Sequence, residues 1–154
     1  MHSLWPFREP GFVAHGVRFA GSEQFFQVHK HEDAAQWPST TTPAFEKALS
    51  NVAESSEMEA FGWGAECAIR DDWAEARVEV MRAAVGHKFR ADTGLRALLV
   101  STAPHPLASV KHDSFWGIGF KGKGQNMLAK LLMELRDELV AEDSAEPEPQ
   151  QERR

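Results

Sequence analysis

Three polar side chains, two of them able to move protons or act as a nucleophile, lie at helical spacing early in the chain: Glu23, Gln27 and Lys30. At about 100° per residue, positions i+4 and i+7 fall within about 40° of i, so a helix here puts a carboxylate, an amide and an amine on one face. A carboxylate can serve as general acid or base. An amine that burial keeps uncharged can attack a sugar aldehyde and form a Schiff base. The same spacing also fits a solvated, ion-pairing helix face, and spacing alone does not choose between the two.

A second candidate is the segment Asp113-Ser114-Phe115-Trp116-Gly117-Ile118-Gly119-Phe120-Lys121-Gly122-Lys123-Gly124-Gln125-Asn126. Glycines let backbone N–H groups come close to an anion, and the start of a helix favours negative charge. Lys121 and Lys123 add point charges. The segment therefore reads either as a phosphate cradle formed by the amides of Gly117, Gly119, Gly122 and Gly124, or as a flexible loop with solvated lysines. Gly117 to Gly122 fits G-x-G-x-x-G, but no strand–helix–strand repeat or ribose-binding acid accompanies it.

Trp63, Trp73, Phe115 and Trp116 stand near expected turns and helix starts, where an aromatic ring can stack on a base or fill the core. The seven histidines form no H-x-x-x-H and meet no C-x-x-C, so the sequence signals no metal site, and no cofactor is implied. His29 and His31 are expected to point apart on a helix. Cys67, without a defined base, reads as a small buried side chain.

The elements that must position these residues belong to an ordinary globular chain. Of 154 residues, 42% are hydrophobic and 26% charged, which argues against disorder. A net charge of −6 argues against a protein that coats nucleic acid, though not against a pocket for one modified nucleotide. One cysteine leaves no internal disulfide, and the opening MHSLWPFREP lacks the apolar core of a signal peptide. No apolar run reaches the length of a membrane span, about 18 residues or more. The expectation is a cytoplasmic protein, or a nuclear one in a eukaryote, with no membrane partner.

Phe12 to Phe19 reads as a short hairpin turning at His15-Gly16. Ser22 is a plausible N-cap for a helix to about Trp37, broken by Pro38. Pro43 opens a helix through Val52, and residues 39–42 connect the two. Gly62-Trp63-Gly64 reads as a turn. Asp71 or Asp72 caps a long helix to about Phe89. Thr93 to Ser101 is helical, Pro104 and Pro106 end it, and Leu107 to Lys111 reads as a short strand. Leu128, Leu131, Leu132, Leu135 and Leu139 form the buried stripe of a final helix. The chain is thus expected to be mainly α (α+β) with a small β-ribbon. It reads as one domain over residues 1–141, followed by a flexible acidic tail over 142–154.

Ordered motifs over about residues 4–140 make the sequence resemble the NADAR (YbiA-like N-glycosidase) family. The first, S-E-[HQ]-aromatic-aromatic-Q-x-x-K, is present as Ser22-Glu23-Gln24-Phe25-Phe26-Gln27-Val28-His29-Lys30. The second runs from Arg70 and Trp73 through Val80-Met81-Arg82-Ala83-Ala84 to His87-Lys88-Phe89. Leu95-Arg96-Ala97-Leu98-Leu99 and Ser101-Thr102 follow. The last runs from Asp113-Ser114-Phe115-Trp116-Gly117-Ile118-Gly119 through Gly122 to Asn126, then Leu128, Leu132, Met133 and Arg136. The chain departs from the family pattern at Leu4-Trp5-Pro6-Phe7, where an Asn gives way to Pro6, and at Ile118 and Ala129.

The resemblance implies a YbiA-like helical domain that cleaves a sugar C1–nitrogen bond. It implies Glu23, Lys30 and Asp113 as catalytic residues. It also implies a substrate-binding set of Gln27, Trp73, Trp116, Gly117, Gly119, Lys121, Gly122, Lys123, Gly124 and Asn126. Removal of ADP-ribose from guanine, in a nucleotide or nucleic acid, is the preferred activity. The alternatives are hydrolysis of phosphoribosylamino-pyrimidine intermediates of riboflavin biosynthesis and a non-catalytic ADP-ribose- or NAD-binding module.

Overall fold

The expected hairpin forms in the computed structural model, which describes residues 10–145. Strands β1 (Phe12–Ala14) and β2 (Val17–Phe19) pair antiparallel, with Phe12 opposite Phe19. His15 and Gly16 both take positive φ, 52° and 77°, as a two-residue turn of matching twist requires. Phe12, Ala14 and Phe19 face inward, while Val13 is exposed. The segment Leu4–Phe7, His2 and residues 146–154 of the expected tail lie outside the described residues.

The chain forms two compact units that divide between Thr93 and Gly94. In the first, four helices follow the hairpin: α1 (Ser22–Val28), α2 (Pro43–Val52), α3 (Glu57–Glu66) and α4 (Trp73–Ala91). Helix α1 packs on α2, α3 and α4, and α4 covers β1. Phe19, Val28, Phe45, Val52 and Phe89 are fully buried in this core. Helix α2 starts where Pro43 places it, with Thr42 Oγ1 accepting the Phe45 N–H at 3.1 Å.

Two expectations for this unit need correction. Helix α1 ends at Val28 instead of near Trp37. Beyond it the chain is drawn into pairing with residues 68–70: Glu32 N–H donates to Ala68, Arg70 N–H donates to Lys30, and His31 bridges Ile69. That pairing replaces the hydrogen bonds a longer helix would make. Gly62-Trp63-Gly64 is no turn but the interior of α3. A capping box between Ser56 and Glu59 starts that helix. Each interior glycine costs about 1 kcal/mol relative to alanine, and Gly64 is buried against α1 in compensation.

The second unit contains α5 (Thr93–Ser101) and α6 (Met127–Ser144), joined by a long irregular segment. Leu128, Leu131, Leu132, Leu135 and Leu139 are all buried, as their spacing demands. Arg136, also buried, donates to Thr102 Oγ1 at 3.1 Å and to the His105 carbonyl at 2.6 Å, fixing the exit from α5. Arg96 joins α5 to the end of α6 through Glu142 and Asp143. The expected strand Leu107–Lys111 does not form. Its backbone groups are taken by Met133 Sδ, the Asn126 side chain and the N–H groups of Ile118 and Gly119. The architecture is mainly α with one small antiparallel ribbon. No helix among the described residues is long and apolar enough to cross a membrane.

Candidate active site

In the first unit the chemistry-bearing residues gather around α1. Glu23 lies in its first turn, where a carboxylate complements the helix dipole. One turn on, Gln27 is 2% exposed, and its Nε2 donates to Glu23 Oε1 at 2.7 Å. The expected juxtaposition of these two therefore holds. Lys30 is different: it stands two residues beyond the helix, so the helical-face argument does not reach it. It is half-buried, with Nζ 5.9 Å from the centre of the Phe26 ring. The same ring packs against Trp73, at 5.0 Å. Phe26 thus links the ammonium of Lys30 to the indole that opens α4.

Trp73 is presented by a tight turn. Its N–H donates to the Arg70 carbonyl at 3.2 Å. Arg70 grips Asp72 with two nitrogens, at 2.5 and 2.8 Å, and this holds the Asp72 carboxyl below its usual range. Asp72 flanks the helix start as expected, but its side chain binds Arg70 and makes no cap hydrogen bond to α4. Trp63 lies inside α3, parallel to the His31 ring at 6.1 Å. Burial pushes the Cys67 thiol up, against the opposing charge of Lys30. His29 follows α1 as its C-cap, with Nδ1 2.6 Å from the Phe25 carbonyl oxygen.

In the second unit the segment 113–126 folds onto itself. Asp113 Oδ1 accepts the N–H groups of Phe115 and Trp116 at 2.8 and 2.7 Å, leaving its second oxygen outside this turn. Trp116 is half-buried and packs edge-on to Phe115 at 4.8 Å. The expectation that glycine amides cradle an anion is not met. The N–H groups of Gly117, Ile118, Gly119, Gly122 and Gly124 donate to carbonyls of Asp113, Ser109, Lys111, Gly119 and Ile118. Even the first amides of α6, Met127 and Leu128, donate back to Phe115 and Trp116.

Close approach explains two of these glycines. A Cβ on Gly117 would stand 2.4 Å from the Lys111 carbonyl oxygen, and one on Gly124 2.4 Å from that of Gly117. Asn126 takes the left-handed conformation (φ 55°) at the start of α6. Its side chain accepts the Ser109 N–H at 2.7 Å and donates to the Leu107 carbonyl at 3.1 Å, so it works as a clamp on the loop. Lys121 and Lys123 are exposed and remain the charges available to an anion.

Sequence reasoning missed Gly64, whose lack of a side chain leaves room for Gln27. The signal was a glycine within a helical pattern, which often has a packing reason.

Comparison with known proteins bears on what this arrangement does. The sequence model of the NADAR domain matches residues 4–140. N-glycosidase YbiA of Escherichia coli (strain K12) is 32% identical over 141 residues, covering 91% of this chain and 79% of the relative. A chloroplastic riboflavin biosynthesis protein of Arabidopsis thaliana, PYRR, is 41% identical over 81 residues, covering 52% of this chain and 14% of that protein. The NMR structure of E. coli YbiA superposes with a TM-score of 0.73 at 31% identity, covering 92% of this chain and 80% of that one. With the family match spanning most of the sequence and the fold shared, the chain belongs to the NADAR domain family.

Proposed function

We propose that this chain is a hydrolase of the N-glycosidase type that releases ADP-ribose from the exocyclic amine of guanine, in a free nucleotide or within nucleic acid. The observation that carries the reading is the Glu23–Gln27 pair: a half-buried carboxylate fixed at 2.7 Å by a buried amide. Relatives of matching length named as N-glycosidases support it.

In the reaction, protonated Glu23 gives its proton to the departing nitrogen as the C1–N bond breaks. The carboxylate then takes a proton from the water whose oxygen bonds to C1, so one water is consumed and Glu23 is restored. On a covalent variant, Glu23 protonates the ring oxygen as the C1–O bond breaks, leaving C1 doubly bonded to the base nitrogen. The Lys30 amine then bonds to C1, a proton passes from it to the base nitrogen as that C1–N bond breaks, and water hydrolyses the lysine imine to a C1 aldehyde and the free amine. In the first unit Trp73 offers a face for stacking. The second unit, taken by itself, offers the Trp116 ring, an Asp113 carboxylate oxygen that can accept from a hydroxyl, and the charges of Lys121 and Lys123 for a phosphate. Asn126 and the glycines keep the segment in shape.

A second reading, hydrolysis of a phosphoribosylamino-pyrimidine, is favoured by the riboflavin-biosynthesis names of two relatives. One experiment separates them. Purified protein is given an oligonucleotide ADP-ribosylated on guanine and, separately, the phosphoribosylamino-pyrimidine, and products are identified by mass. Release of free ADP-ribose, lost in Glu23→Ala, is expected. Turnover of the pyrimidine alone selects the second reading. Binding of ADP-ribose with no turnover of either makes the chain a non-catalytic module.

A further inference from the structure

We infer that Gly64 is a positioning residue for Glu23, acting through Gln27; this rests on the proposed role of Glu23. While Glu23 is ionised, the amide of Gln27 can point only one way. Its Nε2 donates to Glu23 Oε1 at 2.7 Å, and turning the amide over would set its oxygen against a carboxylate, two acceptors facing each other. The orientation that serves Glu23 therefore drives Gln27 Oε1 in the opposite direction, into α3. There it is buried and finds no hydrogen-bonding partner.

What it meets is Gly64. A Cβ built on Gly64 would lie 1.9 Å from Gln27 Oε1, 2.9 Å from its Cδ and 3.4 Å from its Cβ. The lack of a Cβ at Gly64 is what lets the carbonyl oxygen sit there without a clash. The end of a glutamine is usually free to swing aside, but this one is 2% exposed and held at its other end by Glu23. Any side chain at position 64 must push the amide out of its place. Gly62, two residues earlier on α3, has nothing within 4 Å of its would-be Cβ, so the requirement is local to Gly64.

The relation runs Gly64 to Gln27 to Glu23, and each link can be broken separately. Gly64→Ala should lower kcat on the ADP-ribosylated guanine oligonucleotide by about 10- to 100-fold with KM within about twofold, since a misplaced catalytic group weakens the transition state more than binding. In a Gln27→Ala background the offending atoms are gone. There Gly64→Ala should cost nothing more, so the double variant matches Gln27→Ala alone. If Gly64→Ala does not fold, the double variant decides: folded and as active as Gln27→Ala supports the inference, and unfolded or less active overturns it.

A readout free of activity keeps the inference apart from the functional reading. The side-chain amide signal of Gln27, identified by its loss in Gln27→Leu, should move in the NMR spectrum of Glu23→Ala and again in that of folded Gly64→Ala. Full activity in Glu23→Ala would sink the reading of Glu23 alone. An unmoved Gln27 signal in Gly64→Ala, or losses that simply add in the double variant, would sink the role of Gly64 whatever Glu23 does.

Discussion

Lowering the pH from 7 to 5 should destabilise the first unit through His29. The imidazole is 8% exposed, lies 4.2 Å from the Phe25 ring and 5.4 Å from Trp37, and bonds the Phe25 carbonyl. A carbonyl only accepts, so the neutral ring carries its proton on Nδ1. Burial pulls the pKa of His29 down from 6.5 to about 4. The bond to Phe25 opposes this, and the charges of Arg70, His15 and His87 reinforce it. Because the folded value lies below the unfolded one, the unfolded chain takes the proton first. Stability is complete above 6.5 and is lost as pH falls from there towards 4. At about 1.4 kcal/mol per tenfold change in proton binding, His29 accounts for a loss of about 2 kcal/mol between pH 7 and pH 5. His87, also lowered by burial, adds to the loss with the same sign. The assay is urea unfolding at pH 7, 6 and 5 for the wild type and His29→Gln, which keeps an N–H donor but cannot titrate. The variant should show a slope shallower by about 2 kcal/mol over this range. An unchanged slope in His29→Gln would refute the argument, and so would a wild-type loss under about 0.5 kcal/mol.

Three further outcomes follow from the sites. Lys121→Ala with Lys123→Ala should raise KM more than it lowers kcat, since a phosphate contact is present in ground and transition states alike; an unchanged KM removes these lysines from binding. On the covalent variant, borohydride added during turnover leaves a sugar adduct on the peptide containing Lys30, and Lys30→Arg, which keeps charge but forms no imine, is nearly inactive. No adduct together with a vigorous Lys30→Arg leaves the direct water route. Asn126→Ala should destabilise the second unit by about 1–3 kcal/mol, because it strands the Ser109 N–H and the Leu107 carbonyl. Urea unfolding with amide exchange at Ser109 checks this, and wild-type stability would show that the clamp is dispensable.

The elements legible in the sequence were those whose signal is local. Pro43 after Thr42, the His15-Gly16 turn and the leucine stripe of α6 each specify their element from neighbouring residues, and each forms where expected. What was not legible depends on distant partners. The end of α1 at Val28 is set by residues 68–70, some forty positions away. Gly62 and Gly64 read as a turn because helix propensity disfavours them, yet the Ser56–Glu59 box and the fit to Gln27 outweigh propensity. For the candidate site, Glu23 and Gln27 were paired correctly from spacing of four. Lys30 was tied to them by a helix that ends before it. The glycine-rich run showed the right residue types for an anion, but which carbonyls its amides would find is a property of the folded loop.

The largely self-contained wiring of the 107–128 segment bears on how such a site can change. Its amides answer its own carbonyls, and Asn126 and Asp113 spend side-chain atoms on the same backbone. A frame of this kind is insulated from what hangs on it. Phe120 is 83% exposed, Lys121 and Lys123 are exposed as well, and the Phe120 ring stacks on His112 at 4.1 Å. Exchanging these side chains alters the charge and shape offered to a ligand while the scaffold beneath is left standing. A change at Gly117 or Gly124 instead collides with main chain. Diversification of substrate preference is therefore cheap at positions 120, 121 and 123 and blocked at Gly117 and Gly124 on either side, so a library randomised at those three positions should yield mostly folded proteins.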